Sequence, residues 1–321
     1  MANSGNTIFS RNKGKRRSKS QTAVFVIAFI ILAAYAAYVL AFFLFGFVLS
    51  LKDYTYTVGD GALAPKYWDY LSTKGLLFTL DSHSFRFMNY FDAFTSFTVT
   101  GLNGSTINYL QMLWNSIWRT VVMTGVNWFC TVTVCYVLVH YKNKLTKFIY
   151  SLGLILSIIP LYGAGAAEYR LFSNDVFPLI NSPLIYLSQI TLFGTNFFYM
   201  YAFWKSISPE YKEAGLIDGA SHLGIYLRVM LPMLVPSAIS LFIMLFISNW
   251  NNYEYTNLYM RDYSDLSYGI YVYRETAIYN GNGTWPIYFA GVMMSFLPIL
   301  LLFIAFQNTI MEKVYIGGLK G

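Results

Sequence analysis

Charge is scarce in this chain. Only 12% of its 321 residues are Asp, Glu, Lys or Arg, against about 25% in an ordinary soluble domain. With 56% hydrophobic residues and a mean hydropathy of +0.46, a soluble globular fold is excluded. An all-α polytopic membrane protein is expected. Cysteine is nearly absent. Cys130 and Cys135 stand five apart in one apolar segment, so on a helix they face different sides and do not pair; they read as small buried hydrophobes. His83, His140 and His222 show no metal-ligand spacing, so no metal site is expected. No Gly-x-x-x-x-Gly-Lys-Ser/Thr stretch occurs, which removes that route to ATP. Neither a Ser-His-Asp set nor a carboxylate pair in an apolar span is visible, so no catalytic residue is expected. The basic start precedes an apolar run too long for a signal-peptide core.

What the chain has instead is apolar length and aromatic rings: 28 Tyr, 27 Phe and 7 Trp, which suit interfacial belts and packing. Residues 1–20 form a polar tail with Arg11, Lys13, Lys15, Arg16, Arg17 and Lys19. Beside a membrane segment this cluster reads as a cytoplasmic anchor rather than a nucleic-acid site. Residues 21–50 are a first span, since about 20 apolar residues cross a bilayer. Residues 51–110, broken by Gly59-Asp60-Gly61, Pro65 and Gly101-Leu102-Asn103-Gly104, read as an extracytoplasmic subdomain of short elements. Residues 111–310 then hold five more spans, near 111–140, 148–167, 184–204, 229–250 and 287–307, and 311–321 is a C-terminal tail. In the second span Arg119 is expected to snorkel from near the outer end.

Orientation follows from counting. With the N-terminus inside, the inner segments hold fourteen of the 22 basic residues and four of the 15 acidic ones. The positive-inside rule is obeyed, and the loop at 206–228 falls in the cytoplasm. Ion-coupled carriers often hold ionisable groups inside their spans. The expected spans here are almost free of them, which favours an energy source on another protein.

That loop carries the most informative stretch. Ser208 can cap a helix, Pro209 suits its first turn and Glu210 complements the positive end of its dipole. The segment Glu213-Ala214-Gly215-Leu216-Ile217-Asp218-Gly219-Ala220 follows. Gly219 allows a sharp turn, and Val229-Met230-Leu231-Pro232 opens the next span. The expectation is a short helix, a bend and a second short helix at a membrane surface.

This spaced pattern resembles the coupling loop, or EAA loop, of ABC-importer permeases: Glu-Ala-Ala, three residues, Gly, nine residues, Ile, one residue, Leu-Pro. Gly215 replaces the second Ala and Val229 the Ile. Gly has about 1 kcal/mol less helix propensity than Ala, so the helix is expected to lean on its docking partner. The Ile217-Asp218-Gly219-Ala220 version is similar to the carbohydrate, maltose-permease-like branch. The likeness is strongest over 205–260 and weaker over 111–321.

The resemblance implies a non-catalytic subunit in a bacterial inner membrane, both termini cytoplasmic. Its implied partners are a second, non-identical permease chain, two ATP-binding subunits, an extracytoplasmic solute-binding protein, a carbohydrate and membrane lipid. It implies no cofactor on this chain, with ATP and Mg held by the partner ATPase. It also implies ATPase coupling through Glu213, Ala214, Gly215, Asp218, Gly219, Ala220, Leu231 and Pro232, and a tail, Gly317, Gly318 and Lys320, reaching between the ATPase subunits. Asn249, Trp250 and Asn251, like a Trp-Asn feature of sugar permeases, are candidates for the substrate path, because amides bond hydroxyls and indoles stack on sugar rings. Against this stand a helix cap with an interfacial Trp at that site, another solute such as a peptide or polyamine, and an ATP-independent channel or secondary carrier.

Overall fold

A computed structural model describes residues 19–52, 85–159, 164–174, 177–190, 192–278 and 283–314. The tail residues Gly317, Gly318 and Lys320 and most of the basic N-terminal cluster lie outside them. Among the described residues four helices are long and apolar enough to cross a bilayer: Thr22–Ser50, Tyr109–His140, His222–Trp250 and Trp285–Asn308. They coincide with the first, second, fifth and sixth expected spans.

Helix α1 (Lys19–Ser50) is apolar all round, as lipid-facing helices are. Its second half lies on the last helix, where a Cβ on Gly46 would meet Met293 Cε at 3.1 Å. Its end is capped from a distance: Asn89 Nδ2 donates to the carbonyls of Ser50 and Lys52 at 2.9 and 2.8 Å, filling acceptors that a helix end leaves open. Asn89 begins α2 (Asn89–Ser96). A hairpin of β1 (Val99–Thr100) and β2 (Thr106–Ile107) follows, turning through Gly104 at φ 79°. This part of the 51–110 segment does consist of short elements; residues 53–84 lie outside the described residues.

The central helix is α3 (Tyr109–His140). Asn108 and Gln111 close a capping box at its start. Helix α4 (Lys144–Ile158) opens with a second such box, Asn143 with Thr146. α5 (Ala164–Phe172), a 3₁₀ turn (Pro183–Gln189) and α6 (Thr195–Ser206) follow. The stretches 148–167 and 184–204 are therefore not single long helices. The helix reached from 148 ends at Ile158, just before Pro160. The second stretch begins as a 3₁₀ turn with Pro183 at its start and restarts only after Gly194, at φ 149°.

The fifth span also differs from expectation. It does not start at Val229. The one-turn helix α8 (His222–Ile225) runs through a π-helical turn (Tyr226–Met230) into α9 (Leu231–Trp250), so the second arm of the loop and the span are one rod. Pro232 directly follows the π turn, the place where the regular bonding of the rod is already interrupted and a missing N–H is best tolerated. Beyond Trp250 come α10 (Tyr253–Tyr259), α11 (Leu266–Val272) and α12 (Trp285–Val314). The core joins α3, α6 and α9 around fully buried Trp204, whose indole N–H donates to Val132 O at 2.9 Å. Cys135 is buried and Cys130 half-buried, both free.

Candidate functional site

Three places concentrate polar chemistry. The first is the hook formed by α7 (Glu210–Ile217), the bend and α8. Ser208 Oγ accepts from Glu210 N at 3.3 Å. Gly219 takes φ 76°, and Asp218, Gly219 and Ala220 donate N–H bonds back to Ala214, Leu216 and Gly215. This closes the helix with a left-handed residue, the geometry that favours Gly. Ser221 Oγ then accepts from Gly224 N at 3.1 Å and starts α8.

The two arms fold onto each other at Gly215. It is buried, and a Cβ there would stand 2.9 Å from Ile225 Cγ1. Ile225 itself is fully buried. The missing methyl group is therefore a packing requirement, and the arm leans on Ile225 of this same chain. The hook is also stitched to the end of α3. Lys212 Nζ donates to His140 O at 2.9 Å and sits 3.9 Å above the Tyr141 ring. Partial burial lowers the Lys212 pKa from its ordinary value, opposed by Glu213. Glu213, Ala214, Asp218, Gly219 and Ala220 remain exposed. Beside them stand exposed apolar side chains, Leu216, Leu223 and Ile217, the last 86% exposed. Leu231 and Pro232 open α9 and do not lie on the bend.

The second place lies between α3, the start of α6 and the end of α9. It is a cavity of about 180 Å³ lined by amides and hydroxyls, among them Asn127, Thr131, Gln189, Asn196, Asn249 and Asn252. No lining side chain is charged. Of the three residues expected on a substrate path, Asn249 reaches this cavity, with its Nδ2 3.1 Å from Thr124 Oγ1. Trp250 points elsewhere: its indole N–H donates to Ser295 O on α12 at 3.1 Å. Asn251 is exposed and bonds Ile247 O at 3.0 Å.

The third place went unread in the sequence. Arg119 does not snorkel. It is 1% exposed and lies 2.6 Å from Asp265, which is fully buried. Arg119 also donates to Thr256 Oγ1 at 2.9 Å and to the carbonyls of Asn249 and Asn252 at 2.6 and 3.2 Å. Thr256 Oγ1 donates to Asp265 Oδ2, and Asp265 Oδ1 accepts the α11 N-cap bond from Tyr268 N at 2.8 Å. This clasp fixes the end of α9 and thereby the Asn249 side chain. A basic residue in a span followed by an acid in a later loop was its only sequence signal. Among the described residues no group of His, Cys, Asp and Glu could hold a metal ion.

Residues 134–311 match the model of the family described as "Binding-protein-dependent transport system inner membrane component". The match covers more than half of the chain. This chain belongs to that family. Its curated relatives include the arabinooligosaccharides transport system permease protein AraQ of Halalkalibacterium halodurans, 27% identical over 70% of this chain and 77% of that one. AraQ of Bacillus subtilis is 24% identical over 81% and 88%. The diacetylchitobiose uptake system permease protein NgcG of Streptomyces coelicolor is 26% identical over 76% and 77%. In fold, this inner membrane component is similar to a solved bacterial ABC transporter involved in import of the acidic polysaccharide alginate. The TM-score is 0.65, with 18% identity, over 92% of this chain and 99% of that one. The hook lies within the matched residues, as do α6, α9 and Asp265; Arg119 lies upstream of them.

Proposed function

We propose that this chain is a permease subunit of an ATP-driven, binding-protein-dependent importer of a carbohydrate, most simply an oligosaccharide. The relatives' names support the substrate class: arabinooligosaccharides and diacetylchitobiose are hydroxyl-rich. The observation that carries the coupling role is the exposed hook, stiffened internally at Gly215 and tied to α3 through Lys212. A rigid, apolar-tipped projection transmits displacement, which is what a partner ATPase needs. Nucleotide would bias a two-state rigid-body change through it. ATP and Mg would be held by two ATP-binding subunits, and this chain would bind no cofactor. Glu213 and Asp218 would meet the ATPase, and the Gly317, Gly318 and Lys320 tail would reach between its subunits.

In this reading the chain crosses the membrane six times. The broken stretches near 148–167 and 184–204 supply the third and fourth crossings, and both termini are cytoplasmic. A second, non-identical permease completes the pathway, and a solute-binding protein delivers the sugar to the side bearing the 51–110 segment. Asn249 would bond sugar hydroxyls from the amide-lined cavity, with Trp250 and Asn251 holding its helix end. The buried Arg119–Asp265 pair gives a gradient-driven carrier little support, because its two charges neutralise each other at 2.6 Å.

Mild-detergent purification of the tagged chain, with mass spectrometry of its companions and an ATPase assay, tests this. A second permease and an ATP-binding subunit are expected, with sugar-stimulated ATPase activity that Glu213→Arg abolishes. A folded chain isolated alone would contradict the reading.

A further inference from the structure

A further cavity lies apart from the amide-lined one. It measures about 630 Å³ and opens beside the hook. Four of its lining residues are lysines: Lys142 from the α3–α4 connection, Lys147 from α4, Lys205 from α6 and Lys212 from α7. Four separate elements thus bring positive charge to one concavity, and Glu213 is the only carboxylate on its wall. Lys142, Lys147 and Lys205 make no ion pair among the described residues. The rest of the wall is largely apolar, including Leu138 and Ile207, with Tyr150 and Tyr201 stacked 4.9 Å apart. The cavity sits where α3 and α6 end and α4 begins. Apolar helices there give way to polar connections, which is headgroup depth for a spanning bundle.

We propose that this cavity binds the headgroup of an anionic phospholipid from the surrounding bilayer, with an acyl chain along the apolar wall, and that the bound lipid steadies the hook against α3. A basic pocket between spanning helices suits such a ligand. A freely dissolved anion would have no use for the apolar side, and a neutral lipid none for four lysines. Because Lys212 joins the cavity to the hook, occupancy and coupling are linked.

The test uses the whole transporter, this chain with the subunits that accompany it. Retained lipid is read by native mass spectrometry after exposure to phosphatidylcholine vesicles with and without phosphatidylglycerol. The wild type is expected to keep phosphatidylglycerol selectively. The Lys142→Gln/Lys147→Gln/Lys205→Gln variant should hold it about a hundredfold less tightly, the combined weight of three lysine–anion attractions at a membrane surface. A Lys144→Gln/Arg228→Gln variant removes two nearby charges that do not line the cavity and should keep the lipid. Photoactivatable phosphatidylglycerol on the wild type needs no variant to fold, and should label peptides of α4 and α6. Equal retention by wild type and triple variant would overturn the proposal, as would equal loss in the control pair or labelling confined to other helices. Selective uptake of inorganic phosphate without lipid would make this a soluble-anion site and overturn it too. Lipid binding seen only when the ATP-binding subunit is stripped away would assign the surface to that subunit instead.

Discussion

The hook and the Arg119 clasp stand near opposite ends of α9 and are built in contrasting ways. The hook is local. Gly215, Gly219, Ser221 and Ile225 interact across a few residues, and each has a short-range reason for its identity. The clasp is non-local: Arg119 meets Thr256 across 137 residues and carbonyls 130 and 133 residues away. The hook leaves its bend exposed, whereas the clasp exposes almost nothing. A part built from neighbours along the chain can thus be written as a motif. A part built across the chain depends on which distant residues the fold brings together.

The sharpest break of this contrast is Arg119→Met. It leaves Asp265 charged, buried and without its partner, a loss of about 3–5 kcal/mol. Thermal unfolding in detergent should show a large fall in midpoint, and adding Asp265→Leu should recover most of it. In the hook, Gly215→Ala should cost up to about 2 kcal/mol net. Overpacking against Ile225 costs more than the roughly 1 kcal/mol that Ala adds in helix propensity. Sugar-stimulated ATPase activity should fall in that variant and return toward wild type when Ile225→Ala is added.

Smaller effects sharpen the comparison from the sugar side. Asn249→Ala removes a hydrogen-bonding amide worth about 0.5–1.5 kcal/mol. The KM for transport into vesicles should rise about two- to tenfold. Asn251→Ala, whose side chain bonds only its own helix, should leave that KM unchanged. Smallest in stability is Glu213→Arg, at an exposed position, expected within about 0.5 kcal/mol of wild type. Its ATPase stimulation should nevertheless be lost.

Much of the hook was legible in the sequence. Gly219 announced its left-handed turn, and Ser208 and Pro209 announced the start of α7. Gly215 was legible only as a departure, because the reason for it, Ile225, sits in an arm whose packing angle no local pattern encodes. The four long spans were visible as apolar runs. The break in the third, where a helix ends just before Pro160, was signalled by that proline, whereas the break in the fourth around Gly194 was not registered by composition. At the site, Asn249, Trp250 and Asn251 looked alike in sequence. Successive helical residues point about 100° apart, so one faces the amide cavity, one faces α12 and one faces outward. Arg119 was expected to snorkel because its acid, Asp265, lies far along the chain, beyond α9 and α10.

The proposed coupling role requires the exposed bend of the hook to touch the ATP-binding subunit. Disulfide or bismaleimide cross-linking of Ala214→Cys, in a chain with Cys130→Ala and Cys135→Ala and within the assembled transporter, tests this directly. A strong cross-link to the ATP-binding subunit is expected at this exposed position, absent from a matched Met244→Cys control on the exposed flank of α9. A folded, assembled transporter that yields no such link, or links equally well from Met244→Cys, would contradict it.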